Sequence, residues 1–162
     1  MGEVVVRMGD RSEEMATRVN NIIFVGLYKG INKVLGAGAR GLGVPVGQEL
    51  LKAMKETYNL SFEGSNDPQE LLNRFTHVMI DTFGFADKGE IDVNGNEVTL
   101  KLENPMDLFI LEELKKEGIE PALYPMANAI IAAIKDFSGK KAMLREIGFE
   151  GKNVTVKIRI IE

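Results

Sequence analysis

The stretch GEIDVNGNEVTLKL, residues 89–102, decides the fold class of this chain. Apolar and polar residues alternate on both sides of Asn94-Gly95, as they do in strands with one buried face. Asn-Gly between two alternating runs is the strongest short-range signal for a β-hairpin, because both turn residues are expected to take positive φ. The stretch therefore predicts an antiparallel pair of strands.

A second hairpin is predicted at the end of the chain. Residues 142–149 and 154–160 flank a turn that contains Gly151. The last of these runs alternates cleanly, so one face should be buried and the other solvated. Near the start of the chain, residues 3–8 are predicted to form a short peripheral strand or arm.

The other apolar residues recur at helical spacing and predict about five helices. Asp67 and Pro68 supply an N-cap and a first turn for the third helix. Gly26 and Gly30 lie four residues apart in the first helix, which would permit close helix contact. We therefore predict one α+β domain over residues 1–162, in which two hairpins form a four-stranded, mainly antiparallel sheet packed with helices. The predicted helices span 12–35, 46–58, 68–83, 106–117 and 121–137.

Composition excludes several classes of site. The 162 residues include no cysteine and one histidine, so disulfides, thiolate metal centres and cysteine nucleophiles are impossible. Net charge is -4 and no basic stripe is visible, which argues against nucleic-acid binding. The N-terminus lacks a signal-peptide pattern and the longest apolar run, residues 22–28, is too short to span a bilayer. A cytoplasmic protein without metal or cofactor is expected.

Two motifs are typical of cofactor-binding or catalytic sites, but the surrounding sequence does not support that interpretation. GAGARG, residues 36–41, matches the dinucleotide-binding glycine pattern but follows a helix rather than a strand, so a flexible helix–helix connection is predicted. His77 can share a helix face with Arg74 and Asp81, and such a histidine can act as a base. No serine, cysteine or second histidine accompanies it, which favours a structural role. An enzyme would need a cleft that joins these three residues to Tyr124.

The segment LENPMDLF, residues 102–109, resembles the strand-end segment of the small subunits of the eukaryotic transport protein particle. Tyr124 with the small-residue helix after it, the closing hairpin, and Gly43-x-x-x-Gly47-x-x-Leu50-Leu51 extend the resemblance over about residues 20–162. The same fold occurs in 4-vinyl reductase-type ligand-binding domains. The resemblance implies a sheet packed with helices, dimerisation through helices and an internal apolar cavity. It does not carry over acylation or a metal, because the cysteines for both are missing.

The expected function is therefore that of a non-catalytic, homodimeric domain that binds a small apolar molecule or has a regulatory role.

 The alternative is a protein–protein interaction scaffold without a ligand, and an enzyme comes third. Helical apolar side chains are expected to line the ligand pocket: Tyr28, Phe75, Met79, Phe109, Tyr124, Ala127 and Ile131.

Overall fold

The computed structural model describes residues 13–59, 61, 67–121 and 123–161, so the strand predicted at residues 3–8 lies outside the described residues. Three α-helices come first in the chain. The fourth helix follows the first hairpin, and the fifth helix precedes the second hairpin. The elements are α1 (Glu13–Leu35), a 3-10 helix (Gly36–Leu42), α2 (Gly43–Tyr58), α3 (Pro68–His77) continued by a π-helical turn (Val78–Thr82), β1 (Lys88–Asn94), β2 (Glu97–Glu103), α4 (Leu108–Lys116), α5 (Pro125–Ser138), β3 (Lys141–Glu150) and β4 (Asn153–Ile161).

The four strands form one antiparallel sheet in the order β1-β2-β4-β3, which confirms the predicted fold class. The hairpins join through β2 and β4, where Leu100 lies opposite Val156 and both side chains are fully buried. Lys101, the next residue along β2, is exposed on the other face. The period-two pattern therefore separates an apolar inner face from a polar outer face, as the sequence predicts.

The first hairpin has a different turn from the predicted one. Asn94 pairs with Glu97, so the two turn residues are Gly95 and Asn96 rather than Asn94 and Gly95. Gly95 has a φ of 60°, whereas Asn94 belongs to β1 and has no positive φ. Glycine at the first central position suits a two-residue turn with a single positive φ. The position of the hairpin is right, and the prediction of two positive φ angles is wrong.

Helix α5 is the centre of the core, because every residue from 126 to 134 is buried. It begins at Pro125 rather than at residue 121, since Tyr124 is extended and Pro125 occupies the first turn. A residue before proline is disfavoured in helical conformation, which fixes this boundary. Helix α2 packs closely on α5: a Cβ added at Gly47 would lie 2.0 Å from the carbonyl oxygen of Asn128.

Two other predictions about glycine need correction. Gly26 and Gly30 have no atom of the described chain within 4 Å of an added Cβ, so they mediate no close helix contact inside the protomer. Residues 36–42 form a 3-10 helix instead of a flexible connection, and α2 begins at Gly43 rather than at residue 46. Short 3-10 segments commonly connect helices, and small residues tolerate their tight winding.

Candidate functional site

A cavity of about 160 Å³ lies between α1, α4 and the segment that precedes α5. Most of its wall is apolar, and its polar side chains are two tyrosines and one aspartate together with Thr17, Asn20 and Asn21. The side chains that matter most for its chemistry are Tyr28 from α1, Asp107 from the start of α4, and Tyr124. The apolar wall includes Phe24, Phe85, Ile110, Leu111, Leu114 and Leu123.

Asp107 reaches this cavity because it does not act as a side-chain cap. It directly precedes α4, and its backbone carbonyl accepts hydrogen bonds from the N–H groups of Ile110 and Leu111 at 2.9 and 3.2 Å. Its side chain makes no capping hydrogen bond to the helix. Instead, the Tyr124 hydroxyl donates to Asp107 Oδ1 at 3.3 Å, and the carboxyl group turns into the protein.

Both members of this pair are buried, with 8% of Asp107 and 1% of Tyr124 exposed. Burial raises the pKa of Asp107 to about 7, although the hydrogen bond from Tyr124 acts in the opposite direction. Burial, followed by the nearby Asp107 carboxyl, also raises the pKa of the Tyr28 and Tyr124 hydroxyls. At neutral pH the cavity therefore holds a carboxyl group close to half protonation beside two neutral phenols.

The combination of apolar walls and a few convergent polar groups is typical of small-molecule sites. An apolar cavity of about 150 Å³ is large enough to hold benzene, so this one fits a molecule of similar size. The pair formed by Asp107 and Tyr124 can exchange hydrogen bonds with one polar group on such a molecule. Among the described residues, no cluster of three or more histidine or acidic side chains could hold a metal ion.

The structure brings together two of the seven predicted pocket residues. Tyr28 and Tyr124 both line the cavity. Phe75 and Ala127 are fully buried in the core between helices and sheet. The other three predicted residues lie elsewhere.

Met79, Phe109 and Ile131 do not line the cavity that contains the two tyrosines. Met79 is half-buried and packs against the main core from the π-helical turn after α3. Phe109 is 44% exposed on α4. Ile131 faces a separate depression of about 420 Å³ between α5 and β3. The seven residues therefore do not form one pocket.

His77 lies on the protein surface, where 77% of its side chain is exposed and its Nδ1 contacts the Asp81 carboxylate. Arg74 instead pairs with Glu70 at 2.5 Å, one helical turn earlier. Tyr124 is buried and bonded to Asp107, in a cavity whose wall includes none of the other three residues. The cleft that an enzymatic interpretation required is therefore not formed by these residues.

Sequence reasoning missed Asp107, the residue with the most perturbed carboxyl group. An acidic residue directly before the apolar run Leu108–Leu111 is typical of a helix N-cap, and nothing local distinguishes that role from burial. The partner that turns the carboxyl inward, Tyr124, is 17 residues away in the chain. Only the packing of α4 against the segment before α5 brings the two together.

Comparison with known proteins corrects the family assignment. Residues 20–160 match a family described as "Putative rubredoxin C-terminal domain". An uncharacterized protein of Methanocaldococcus jannaschii is 30% identical over 134 residues, which cover 80% of each chain. The resemblance to transport protein particle subunits and 4-vinyl reductase-type domains is therefore wrong. Short motifs at strand ends and small-residue helices recur in unrelated α+β folds, and such motifs misled the comparison.

The family description raises the question of an iron ion held by cysteine thiolates. A tetrahedral site of that kind needs four thiolate ligands. This chain has no cysteine, so its own residues do not fit such a site. The match nevertheless covers most of the chain, from residue 20 to residue 160. The chain belongs to the family described as "Putative rubredoxin C-terminal domain".

Proposed function

We propose that this domain binds a small, mostly apolar molecule in the cavity between α1 and α4 and does not catalyse a reaction. The ligand would have about the size of a benzene ring and carry one hydrogen-bonding group. That group would lie against Asp107 and Tyr124. The observation that carries the proposal is the buried carboxyl group, hydrogen-bonded to a buried phenol in a mostly apolar cavity.

The cost of burying Asp107 supports a role beyond folding. A buried carboxyl group without a positive partner destabilises a protein, whereas an apolar side chain of similar size does not. None of the residues that line the cavity carries a positive charge. One hydrogen bond of 3.3 Å to Tyr124 offsets only part of this cost. A ligand hydroxyl would supply a second hydrogen bond to the same carboxyl group.

The chemistry of the wall favours binding over catalysis. The residues that line the cavity include no serine, cysteine, lysine or histidine, so Asp107, the carboxyl group that could act as a base, has none of these nucleophiles beside it. The family description names a C-terminal domain of rubredoxins and no reaction, and a binding or regulatory role is compatible with that description.

A second candidate is an interaction scaffold that binds no small molecule. The exposed apolar residues of α1 favour this function, because a large apolar patch on a soluble protein usually marks an interaction site. The two candidates differ in whether the cavity takes up a ligand, so ligand binding separates them directly.

The binding test uses p-cresol, cyclohexanol and toluene in isothermal titration calorimetry and ligand-observed NMR. We expect saturable binding of the two hydroxyl compounds with Kd on the order of 0.1–1 mM, which is reasonable for about eight heavy atoms, and weaker binding of toluene. Ile110→Trp should fill the cavity and abolish binding. Phe109→Trp, which adds the same side chain at the neighbouring exposed position, should leave binding intact.

The chain has no tryptophan, so each variant also reports its own environment by fluorescence. The proposal is refuted if none of the three compounds binds to the wild-type protein. It is equally refuted if Ile110→Trp keeps its far-UV circular dichroism and binds p-cresol as tightly as Phe109→Trp does.

A further inference from the structure

The most apolar side of α1 faces away from the other described residues of the protomer. Six large apolar side chains on this side are each more than half exposed. They recur three or four residues apart and therefore form one stripe along the helix. We call it the α1 stripe: Met15, Val19, Ile22, Ile23, Leu27 and Val34.

Packing among residues 13–59, 61, 67–121 and 123–161 does not explain the α1 stripe. The opposite side of α1 carries Thr17, Asn21 and Tyr28, which line the cavity against α4. The inner side of this helix is thus more polar than its outer side, the reverse of an ordinary surface helix. An exposed apolar surface of this kind indicates that another molecule covers it.

Two glycines make the α1 stripe suitable for another helix. Gly26 and Gly30 are exposed on the same side as the stripe, with open space where a Cβ would be. The protein uses the same spacing elsewhere: Gly43 and Gly47 of α2 allow α5 to approach until a Cβ at Gly47 would lie 2.0 Å from the Asn128 carbonyl oxygen. Gly26 and Gly30 would allow an equally close approach from outside.

We propose that the α1 stripe binds the α1 stripe of a second copy of this chain in antiparallel orientation, about a two-fold axis near Ile23. The sequence places Glu13 and Glu14 in the first turn of α1, and Lys33 lies in its last turn. Antiparallel pairing sets each acidic end level with the basic end of the other copy and opposes the two helix dipoles. A self-complementary surface of this kind is what a two-fold dimer requires.

The size of the α1 stripe agrees with a dimer interface. The six side chains together expose roughly 600 Å² per protomer, close to the ~800 Å² per partner that a standard interface buries. The residues next to the stripe would supply the remainder. This surface is separate from the proposed ligand cavity, so dimerisation and ligand binding can each fail without the other.

Charge argues against a membrane as the partner. By length and composition alone, the stretch Met15–Tyr58 contains a window that could cross a membrane. A helix that lies on a membrane surface usually carries unpaired Lys and Arg on its polar face. Helix α1 has three basic residues, but one of them, Lys29, forms an ion pair with Glu117 at 2.6 Å, and two glutamates begin the helix. The chain also has a net charge of -4, which anionic headgroups repel.

Sedimentation velocity tests the interface on the full chain. We expect wild-type protein at about 50 μM to sediment as a dimer, in line with an interface of standard size. Ile22→Glu, which puts a charge in the middle of the stripe, should sediment as a monomer with unchanged circular dichroism. Val44→Glu is the matched control, because Val44 is an exposed apolar residue on α2, and this variant should remain dimeric.

Disulfide cross-linking tests the orientation, and the absence of natural cysteines makes each introduced thiol unique. Pairing about Ile23 places Val19 opposite Leu27 of the other copy, so Val19→Cys mixed with Leu27→Cys should cross-link. Two copies of Val19→Cys should not, because their positions are about 12 Å apart along the axis and a disulfide spans less than about 7 Å between Cα atoms.

Three results would overturn the proposal. The first is a wild-type monomer at 50 μM, and the second is self-cross-linking of Val19→Cys as efficient as that of the mixed pair. The third is flotation of the wild-type protein, but not of Ile22→Glu, with vesicles of phosphatidylglycerol, which would assign the α1 stripe to a membrane.

Discussion

The substitution Asp107→Asn separates the charge of the buried carboxyl group from its shape. In the wild-type protein the Tyr124 hydroxyl lies 3.3 Å from Asp107 Oδ1. Asparagine keeps an oxygen that can accept this hydrogen bond. It cannot ionise. The folded protein holds the proton of Asp107 more tightly than the unfolded chain does, because burial raises the pKa from 3.8 to about 7.

The sign and size of the effect follow from linkage. Below pH 4 the carboxyl group is protonated in both states, so Asp107→Asn should change the free energy of unfolding little. Between pH 4 and pH 7 the unfolded chain releases the proton first, and the wild-type protein loses stability as the pH rises. Above pH 7 the loss is complete and amounts to about 4 kcal/mol for a shift of this size. Asp107→Asn should be more stable than wild type by about that amount at pH 8.

Urea unfolding followed by circular dichroism at pH 4 and pH 8 measures this difference. Other carboxyl groups affect both proteins equally, so the difference between wild type and Asp107→Asn isolates one residue. Asp92→Asn, which makes the same chemical change at an exposed position on β1, is the control. A variant that is less stable than wild type at pH 8, or equally shifted at both pH values, would refute the burial of an ionisable Asp107.

Two further predictions concern packing and the hydrogen bond. Gly47→Ala should destabilise the protein by about 3 kcal/mol, because its Cβ meets the backbone of Asn128, which cannot move aside as a side chain can. Gly41→Ala, in open space, should cost less than about 0.5 kcal/mol in the same urea titration, and equal stability of the two variants would contradict the close packing of α2 and α5. Tyr124→Phe removes the hydroxyl that donates to Asp107 and should raise the pKa of Asp107 further in a ¹³C NMR titration, whereas a fall would contradict the assigned hydrogen bond.

The sheet was predictable because its signals are local. Alternation along β2 and β4 and a glycine in each turn are enough to place both hairpins, and the structure confirms them. The turn of the first hairpin was misassigned by one residue, since either Asn94 or Asn96 can flank Gly95 and only the strand pairing decides between them. Local pattern thus determines the strands better than it determines the turn.

The cavity was only partly predictable because its chemistry depends on contacts between distant residues. Tyr28 and Tyr124 were expected in a pocket, but from a family resemblance that is wrong. Asp107 gave no distinctive signal, because acidic residues before helices are common. The sequence also does not predict which side of α1 contacts the rest of the protein. Ile22, which is exposed, and Tyr28, which lines the cavity, are both residue types that occur on buried helix faces.

The most direct test of the central claim is a ¹³C NMR titration of the Asp107 carboxyl carbon with and without p-cresol. We predict a pKa of about 7 in the free protein and a lower pKa with saturating p-cresol, because a hydroxyl donated to the ionised carboxylate stabilises it. A carboxyl group that titrates near pH 4, or one whose pKa does not change when p-cresol is added, would contradict a ligand site at Asp107.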